Sequence, residues 1–241
     1  MNRILFEKSE ISDGVAVFGD ARAEHVLKVL HGEVGQTLKT GEVDGPIGTS
    51  VIEEIRPDGT IAVRCTHGEA SVRPWVDLIL APPRPRVMKR LLPQLAALGV
   101  GAIVLVGAKK VEKDFWGATL LKPEIHRPFL IDGLMQCGAS VLPTIETRRN
   151  FRRFVREELD GMFPGSRRIV AHPYDAEKDA GRETAEGRLL VAIGPEGGWT
   201  DEEVALLEEK GFARYSLGRR ILRTDTATVA MLAQLMKEAG E

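Results

Sequence analysis

The stretch from Leu189 to Leu235 constrains the fold more than any other part of the chain. Leu189–Ile193 is entirely apolar, which predicts a strand buried on both faces. Gly194-Pro195-Glu196-Gly197-Gly198 then predicts a turn, and the T-x-x-E pattern of Thr200–Glu203 predicts a capped helix start. Ala213–Leu217 predicts a second strand, followed by a loop and a last helix. The stretch therefore predicts two strand-loop-helix units, with loops at the strand ends where α/β sheets bind ligands.

Composition narrows the class of protein. A chain of 241 residues with 43% hydrophobic and 28% charged residues can form a packed core. No apolar run approaches the roughly 20 residues of a membrane span, and the N-terminal segment lacks a signal-peptide pattern. Cys65 and Cys137 are the only cysteines, too few for a cysteine-based metal site or a disulfide framework. We expect no metal, no membrane and a cytoplasmic location.

The chain divides into two predicted domains. Residues 1–72 contain short β-like runs separated by turns, with one helix at Ala21–Leu30, and predict a small β-barrel or sandwich. Residues 73–241 alternate strands and helices, which predicts a mostly parallel sheet covered on both faces. The predicted elements are strands at Trp75–Leu80, Ala102–Val106 and Arg168–His172, and helices at Arg84–Leu98 and His126–Cys137. Pro93 should kink or break its helix, and the polar Gly181–Gly187 predicts a mobile loop.

Two motifs in series resemble a known family. IGPEGGWTDEE followed by LGRRILRTDTA resembles the signature of the RsmE family of SPOUT RNA methyltransferases, with Asp225 where the family usually has Glu. The resemblance implies S-adenosylmethionine (SAM) as cofactor and methylation of N3 of a uridine, position 1498 of 16S rRNA in the small ribosomal subunit. It also implies a C-terminal trefoil knot that forms the SAM site. HVLKVLHGEVGQTL resembles the family's PUA-like RNA-binding barrel, which precedes the SPOUT domain.

The resemblance assigns roles to the two loops. Methylating uracil N3 requires loss of its proton, so a cation that stabilises the ring anion assists the reaction. Arg220 and Arg223 are the candidate catalytic residues; alternatively, both brace the loops through Glu196 and Asp225. Function is favoured for Arg220, and both interpretations stay open for Arg223. The candidate cofactor-binding residues are His172, Pro173, Gly194, Pro195, Glu196, Gly197, Gly198, Leu217, Gly218, Ile221, Leu222, Thr224 and Ala227.

The candidate RNA-binding residues are mostly basic and lie in both predicted domains. They are Arg3, Arg22, Lys28, His31, Arg84, Lys109, Lys110, Lys113 and Gln136. A second basic cluster, around residues 148–156, is interpreted as a solvated helix face balanced by neighbouring acids. Because SPOUT domains generally pair through the knot, and the last helix is rich in apolar residues, we expect a homodimer.

The resemblance is weaker on the RNA-facing side. The family's charged or polar residues are absent at Gln94, Ala97, Met135 and Ala139. Three hypotheses follow: the family's own activity, a divergent paralogue that acts on another RNA, and an RNA-binding protein without catalysis. A ribose 2′-O methyltransferase of the same class is disfavoured, because its last motif reads SLN where this chain has LRTDTA.

Overall fold

The computed structural model describes residues 1–173 and 188–240, which fall into two compact units. The first unit consists of Met1–Arg73 together with Pro128–Leu142. The second consists of Pro74–Arg127 and the chain beyond Pro143. Pro128–Leu142 lies within the predicted second domain, residues 73–241, but groups with the first unit in the structure. The predicted loop Gly181–Gly187 lies outside the described residues.

The Met1–Arg73 part of the first unit is a six-stranded sheet with one α-helix. The strands are β1 (Ile4–Phe6), β2 (Ile11–Ser12), β3 (Val15–Phe18), β4 (Thr37–Glu42), β5 (Ile47–Ile55) and β6 (Ile61–Glu69), and the helix is α1 (Ala21–Lys28). Their order is β1-β4-β5-β6-β3-β2, with only the β1–β4 pair parallel. The sheet curls as a half-barrel around one core, which includes Phe6, Phe18, Val26, Ile52 and Ile61. The PUA-like class predicted for this part of the chain is confirmed.

The segment Pro128–Leu142 joins the first unit through its backbone. The amides of Asn2 and Arg3 both donate to the carbonyl of Met135, at 2.9 and 3.0 Å. The Asp44 amide donates to the Ser140 carbonyl at 2.8 Å. The spacing of apolar residues in the sequence cannot predict these contacts, because they pair backbone groups and do not bury an apolar face.

The second unit is a six-stranded sheet in which every pair is parallel. Its strands are β7 (Val76–Leu80), β8 (Val100–Val106), β9 (Thr144–Arg148), β10 (Arg167–Ala171), β11 (Leu189–Ile193) and β12 (Ala213–Tyr215), in the order β12-β10-β11-β7-β8-β9. Its helices are α2 (Pro85–Ala97), the start of α3 (Pro123–Cys137), α4 (Phe151–Arg153) joined by a π-helical segment to α5 (Leu159–Met162), α6 (Asp201–Glu209) and α7 (Thr224–Ala239). The predicted parallel α/β sheet is confirmed.

The helices lie on both faces of this sheet. Apolar side chains of α4 and α6, such as Phe151 and Leu207, form one core with alternate residues of the strands. On the other face α2 packs against α7. The connection from β7 to β8 runs in one direction across the sheet, and that from β11 to β12 runs in the other. The neighbouring strands β7 and β11 therefore mark the switch point, where α/β sheets bind ligands at their carboxyl ends.

Three details differ from the sequence analysis. The helix α2 continues through Pro93, so of the two expected outcomes, a kink or a break, the break is wrong. The strand β9 was not predicted; it lies at the edge of the sheet, and Thr144–Arg148 lacks an apolar run. The strand β12 ends at Tyr215, two residues early. Among the described residues, no helix is long and apolar enough to cross a membrane.

Candidate functional site

Three loops meet at the carboxyl edge of the second sheet. The His172 amide, after β10, donates to the Tyr215 carbonyl at the end of β12 (3.0 Å). The Ser216 hydroxyl then donates to the Pro173 carbonyl (3.2 Å). The chain next crosses to the end of β11, where the buried Thr224 hydroxyl donates to the Gly194 carbonyl (3.5 Å). This crossing starts α7 beside the loop after β11.

The loop after β11, Gly194–Gly198, is a tight turn with little room for side chains. The Gly198 amide donates to the Pro195 carbonyl at 2.8 Å, and Gly198 has a φ of +68°. A Cβ atom on Gly194 would lie 3.1 Å from the Trp199 amide nitrogen, closer than ordinary contact. The indole of Trp199 packs against Phe151, with ring centroids 5.2 Å apart, and this fixes the floor of the loop. Glycine at these positions lets a ligand approach the backbone.

A capping box starts α6 directly after this loop, as predicted. The Thr200 side chain accepts from the Glu203 amide, and Glu203 accepts from the Thr200 amide at 2.8 Å. The other carboxylate oxygen of the buried Glu203 accepts from the Lys109 amide at 2.8 Å. Glu203 therefore ties the loop after β11 to the loop after β8. The capping motif was visible in the sequence, but this second bond was not.

Two further contacts hold the cationic loops close to the Gly194–Gly198 turn. The Lys110 ammonium donates to the Gly197 carbonyl at 2.7 Å. The Arg84 guanidinium donates to Glu112 at 2.9 Å, and the Arg84 amide lies 3.4 Å from a carboxylate oxygen of Glu196. The structure thus brings Arg84, Lys109 and Lys110, three predicted RNA-binding residues, to the same edge as the predicted cofactor loop.

The loop after β12 carries exposed charged and apolar side chains. Arg219 and Arg220 are exposed and have no ion pair or hydrogen bond within residues 1–173 and 188–240. Arg223 is also exposed and lies 3.9 Å from Asp225, a distance that makes only a weak ion pair in solvent. Ile221 is 75% exposed and Leu222 37%, which is unusual for large apolar side chains. The bracing interpretation of Arg220 therefore gains no contact, whereas Arg223 keeps a loose one.

The end of β12 is anchored by a polar pair. The buried Tyr215 hydroxyl donates to the Glu238 carboxylate at 3.0 Å, which joins β12 to the last turns of α7. Burial, together with this negative partner, raises the pKa of Tyr215 to about 12. Tyr215 therefore remains a neutral donor across the physiological pH range and holds the loop that follows it.

The residue types at this edge are suited to binding SAM. The glycine turn leaves the backbone of the loop after β11 accessible, and Ile221 and Leu222 expose apolar surface suited to an adenine ring. The remaining predicted cofactor residues, including Leu217, Gly218 and Ala227, lie in the same loop or in the first turn of α7. In the described part of the chain, no group of three or more His, Cys, Asp or Glu residues is placed to hold a metal ion.

The predicted RNA-binding residues of the first unit behave differently from one another. Arg3 donates to the carbonyls of Thr40, Gly48 and Gly138, and Arg22 is enclosed by Glu10, Asp20 and two aromatic rings. Both side chains are therefore committed to their own unit. Lys28 and His31 are exposed, and so is Gln136.

Lys113 is exposed in the second unit. The basic cluster at 148–156 forms the acid pairs that were expected, such as Arg148 with Glu158 and Arg153 with Glu157.

Sequence reasoning missed residues on α2 that lie near this edge. Arg90 lies 3.6 Å from Asp225, which also faces Arg223. Arg86, one turn before Arg90, and Lys89, directly before it, are also exposed. A usable signal was present, since Arg84–Ala97 contains four cations and no acid.

Comparison with known proteins places this edge in context. Residues 71–236 match the family described as the RNA methyltransferase domain. The chain is 31% identical to the ribosomal RNA small subunit methyltransferase E of Treponema pallidum, over 99% of this chain and 92% of that protein. A methyltransferase from Legionella pneumophila, solved with bound SAM, is 26% identical with a TM-score of 0.74, covering 98% of this chain and 97% of that one. The ribosomal RNA small subunit methyltransferase E of Neisseria gonorrhoeae, also solved with SAM, has a TM-score of 0.77 at 23% identity, with the same coverage, and shares the fold.

Proposed function

The chain belongs to the RsmE family of ribosomal RNA small subunit methyltransferases, and from that membership we propose that it methylates N3 of a uridine in 16S rRNA, at position 1498. The chain is a SAM-dependent rRNA methyltransferase by family. The observation that supports the proposal for the site is the meeting of three loops at the carboxyl edge of the second sheet, with Arg220 exposed and without a partner among the described residues. This arrangement leaves a cation available to a substrate.

Methylation of uracil N3 requires a methyl donor and the loss of the N3 proton. Bound SAM supplies a methyl group on a sulfonium; the bond from that carbon to sulfur breaks as the bond to uracil N3 forms. The N3 proton must leave, which places negative charge on the uracil ring and its oxygens. Arg220 and Arg223 are placed at the edge where they stabilise that charge, which lowers the barrier because the interaction strengthens in the transition state. Solvent or a substrate-side group accepts the proton.

The loops around the turn hold this arrangement in position. Backbone groups of Gly194–Gly198 and of the segment from Leu217 to Leu222 are the proposed cofactor contacts, with His172 and Pro173 at their border. The Glu203 carboxylate and the Lys110 ammonium support the turn from the β8 side. Asp225 accepts from the Thr226 amide and lies between Arg223 and Arg90, so it orients Arg223 rather than neutralising it.

Two larger-scale proposals accompany this function. The first unit is an accessory RNA-binding surface, supported by the exposed Lys28 and His31 rather than by Arg3 or Arg22. A homodimer through the knot segment is supported by partly exposed Val229 and Met236 on α7, although Met231, Leu232 and Leu235 are already buried inside the chain. An rRNA substrate suits action in the cytoplasm.

The experiment is methylation in vitro of small ribosomal subunits that lack the modification. The purified chain and SAM are added, and the rRNA nucleosides are separated and identified by mass spectrometry. We expect one methyl group on uracil N3. A methyl group on a ribose 2′-oxygen would instead indicate the other SPOUT chemistry. SAM binding without any methyl transfer would indicate an RNA-binding protein that has lost catalysis.

A further inference from the structure

The two helices that begin at the carboxyl edge on opposite faces of the second sheet carry opposite charge. The α2 segment Arg84–Ala97 contains Arg84, Arg86, Lys89 and Arg90 and no acidic residue. The helix α6 has five acidic residues between Asp201 and Glu209 and no basic residue. The formal net charge of −2 for the whole chain therefore does not show the local excess of positive charge on α2.

The positive charge on α2 lies at the surface of the unit. All four side chains are exposed. Arg86 makes no ion pair or hydrogen bond in the part of the chain that the structure describes. Arg84 and Glu112 pair across 2.9 Å, but both are more than half exposed, so solvent screens the pair. The same end of α2 has no side-chain cap, and the positive end of its dipole adds to the field.

This charge borders the candidate active site. The Arg90 guanidinium lies 3.6 Å from one carboxylate oxygen of Asp225, and the Arg223 guanidinium lies 3.9 Å from the other. Arg86 precedes Arg90 by one helical turn, about 6 Å along the axis. A row of cations therefore leads along α2 to the arginine proposed to act on the uracil ring.

We propose that this α2 basic face, defined as Arg84, Arg86, Lys89 and Arg90, binds phosphates of the RNA strand next to the target uridine. The inference rests on the proposed function and names a second part of the substrate contact. A base presented to the edge loops must be held in register by its backbone, and phosphate contacts set that register. The arginine fork matches phosphate oxygens in pairs, so three arginines on one face suit a phosphate chain.

The test compares a double charge reversal on α2 with a single charge reversal on the other face. Arg86→Glu with Lys89→Glu removes two contacts and spares the residues adjoining Asp225. Arg156→Glu is the control, since Arg156 is also exposed but lies among the helices of the α6 face. Single-turnover methylation of small subunits is measured over a range of subunit concentration and salt, with SAM affinity by calorimetry and oligomeric state by light scattering.

We expect the α2 variant to need roughly tenfold more subunits for half-maximal rate at low salt, with SAM affinity unchanged and the maximal rate within about twofold. The dependence of log affinity on log salt should fall by about 0.7–0.9 per lost phosphate contact. Arg156→Glu should match the wild type. Equal behaviour of the two variants would overturn the α2 proposal, as would a change in oligomeric state that accounts for the lost affinity. A wild-type chain that methylates no subunit would contradict the proposed function itself.

Discussion

Arginines of the first unit and arginines at the carboxyl edge of the second sheet have opposite fates. Arg3 and Arg22 are bound to carbonyls, carboxylates and aromatic rings of their own unit. Arg219 and Arg220 extend from the loop after β12 without a partner among the described residues. The family resemblance suggested RNA binding for Arg3 and Arg22 and a catalytic role for Arg220. The comparison teaches that the number of partners, not the positive charge, separates a bracing arginine from one available to a substrate.

The two regions differ in how much their arginines contribute to the stability of the fold. In the first unit, Arg22 stacks over Phe6 and Phe18, at 5.4 and 5.5 Å from the ring centroids, and bonds the Leu5 carbonyl at 2.8 Å. Arg22 therefore covers the small hydrophobic core of the first unit, which has few apolar residues. The loop after β12 offers Arg219 and Arg220 no such partners among the described residues, and unpaired like charges repel one another. A surface that tolerates this cost is better suited to binding an anion than to stabilising the fold.

The largest expected effect is on turnover, from Arg220→Ala. We expect the rate constant for methyl transfer to fall by about 10²–10³, because one cation facing the developing uracil anion is removed. The melting temperature should stay within about 1 °C of the wild type, since a surface change away from partners alters stability little. Arg220→Lys, which keeps the charge and loses the fork, should lie between the two in single-turnover assays. An unchanged rate in Arg220→Ala would transfer the role to Arg223.

The next effect in size is on stability, from Arg22→Met. Methionine preserves part of the apolar contact but leaves Glu10 and Asp20 without their cation. We expect the free energy of unfolding of the first unit to fall by roughly 2–3 kcal/mol, since the pair is largely shielded from solvent. SAM affinity should be unchanged. Lys28→Met, at an exposed position of the same unit, is the control for loss of charge, and similar denaturation curves for both variants would contradict the bracing role.

A third effect, on the cofactor, distinguishes glycines of the second unit. Gly194→Ala should weaken SAM binding about tenfold or more, because the new Cβ atom meets the Trp199 backbone and displaces the turn. Gly211→Ala is the control: its φ of +80° should cost about 1–2 kcal/mol of stability, but it lies at the end of α6, away from the loop. Calorimetry with SAM and thermal unfolding separate the two outcomes. Loss of SAM affinity only in Gly211→Ala would remove the turn from the cofactor site.

The sequence predicted the elements whose pattern has a single explanation. Leu189–Ile193 was placed to the residue because burial on both faces leaves an uninterrupted apolar run. The start of α6 was placed because Thr200 and Glu203 satisfy each other's backbone amides. The loops of the candidate site were located by the resemblance of two long motifs, and periodicity alone would not have selected them.

The remaining features depend on contacts between distant parts of the chain. The roles of Arg3 and Arg22 depend on carbonyls and carboxylates that the fold brings around them. The assignment of Pro128–Leu142 to the first unit depends on backbone bonds such as those to the Met135 carbonyl. The link from Arg90 to Asp225 joins residues 135 positions apart, and no local pattern encodes it.

The smallest expected effect is on the acid stability of the first unit, which also depends on Arg22. Its hydrogen bonds hold the pKa of Glu10 below the ordinary 4.5. For Asp20, burial raises the pKa, but hydrogen bonds from the side chain and amide of Arg22 outweigh it and hold the value below 3.8. A carboxyl group whose pKa is lowered by folding stabilises the folded state above its unfolded pKa and loses that contribution as the pH falls through its folded pKa. The wild-type first unit should therefore lose stability below about pH 4.5, whereas Arg22→Met should lose less over the same interval.

The second unit provides an internal reference for this acid test. Asp160 of the second unit also has a lowered pKa, through hydrogen bonds from Lys210 and Arg168, and Arg22→Met leaves that group untouched. Urea denaturation at pH 7 and at steps down to pH 3 measures the loss, with fluorescence of the three tryptophans, all in the second unit, against circular dichroism of the whole chain. The difference between wild type and variant should shrink with acid in the dichroism signal and stay constant in the fluorescence. A difference that is independent of pH in both signals would mean that Arg22 stabilises its unit through its aromatic contacts rather than through Glu10 and Asp20.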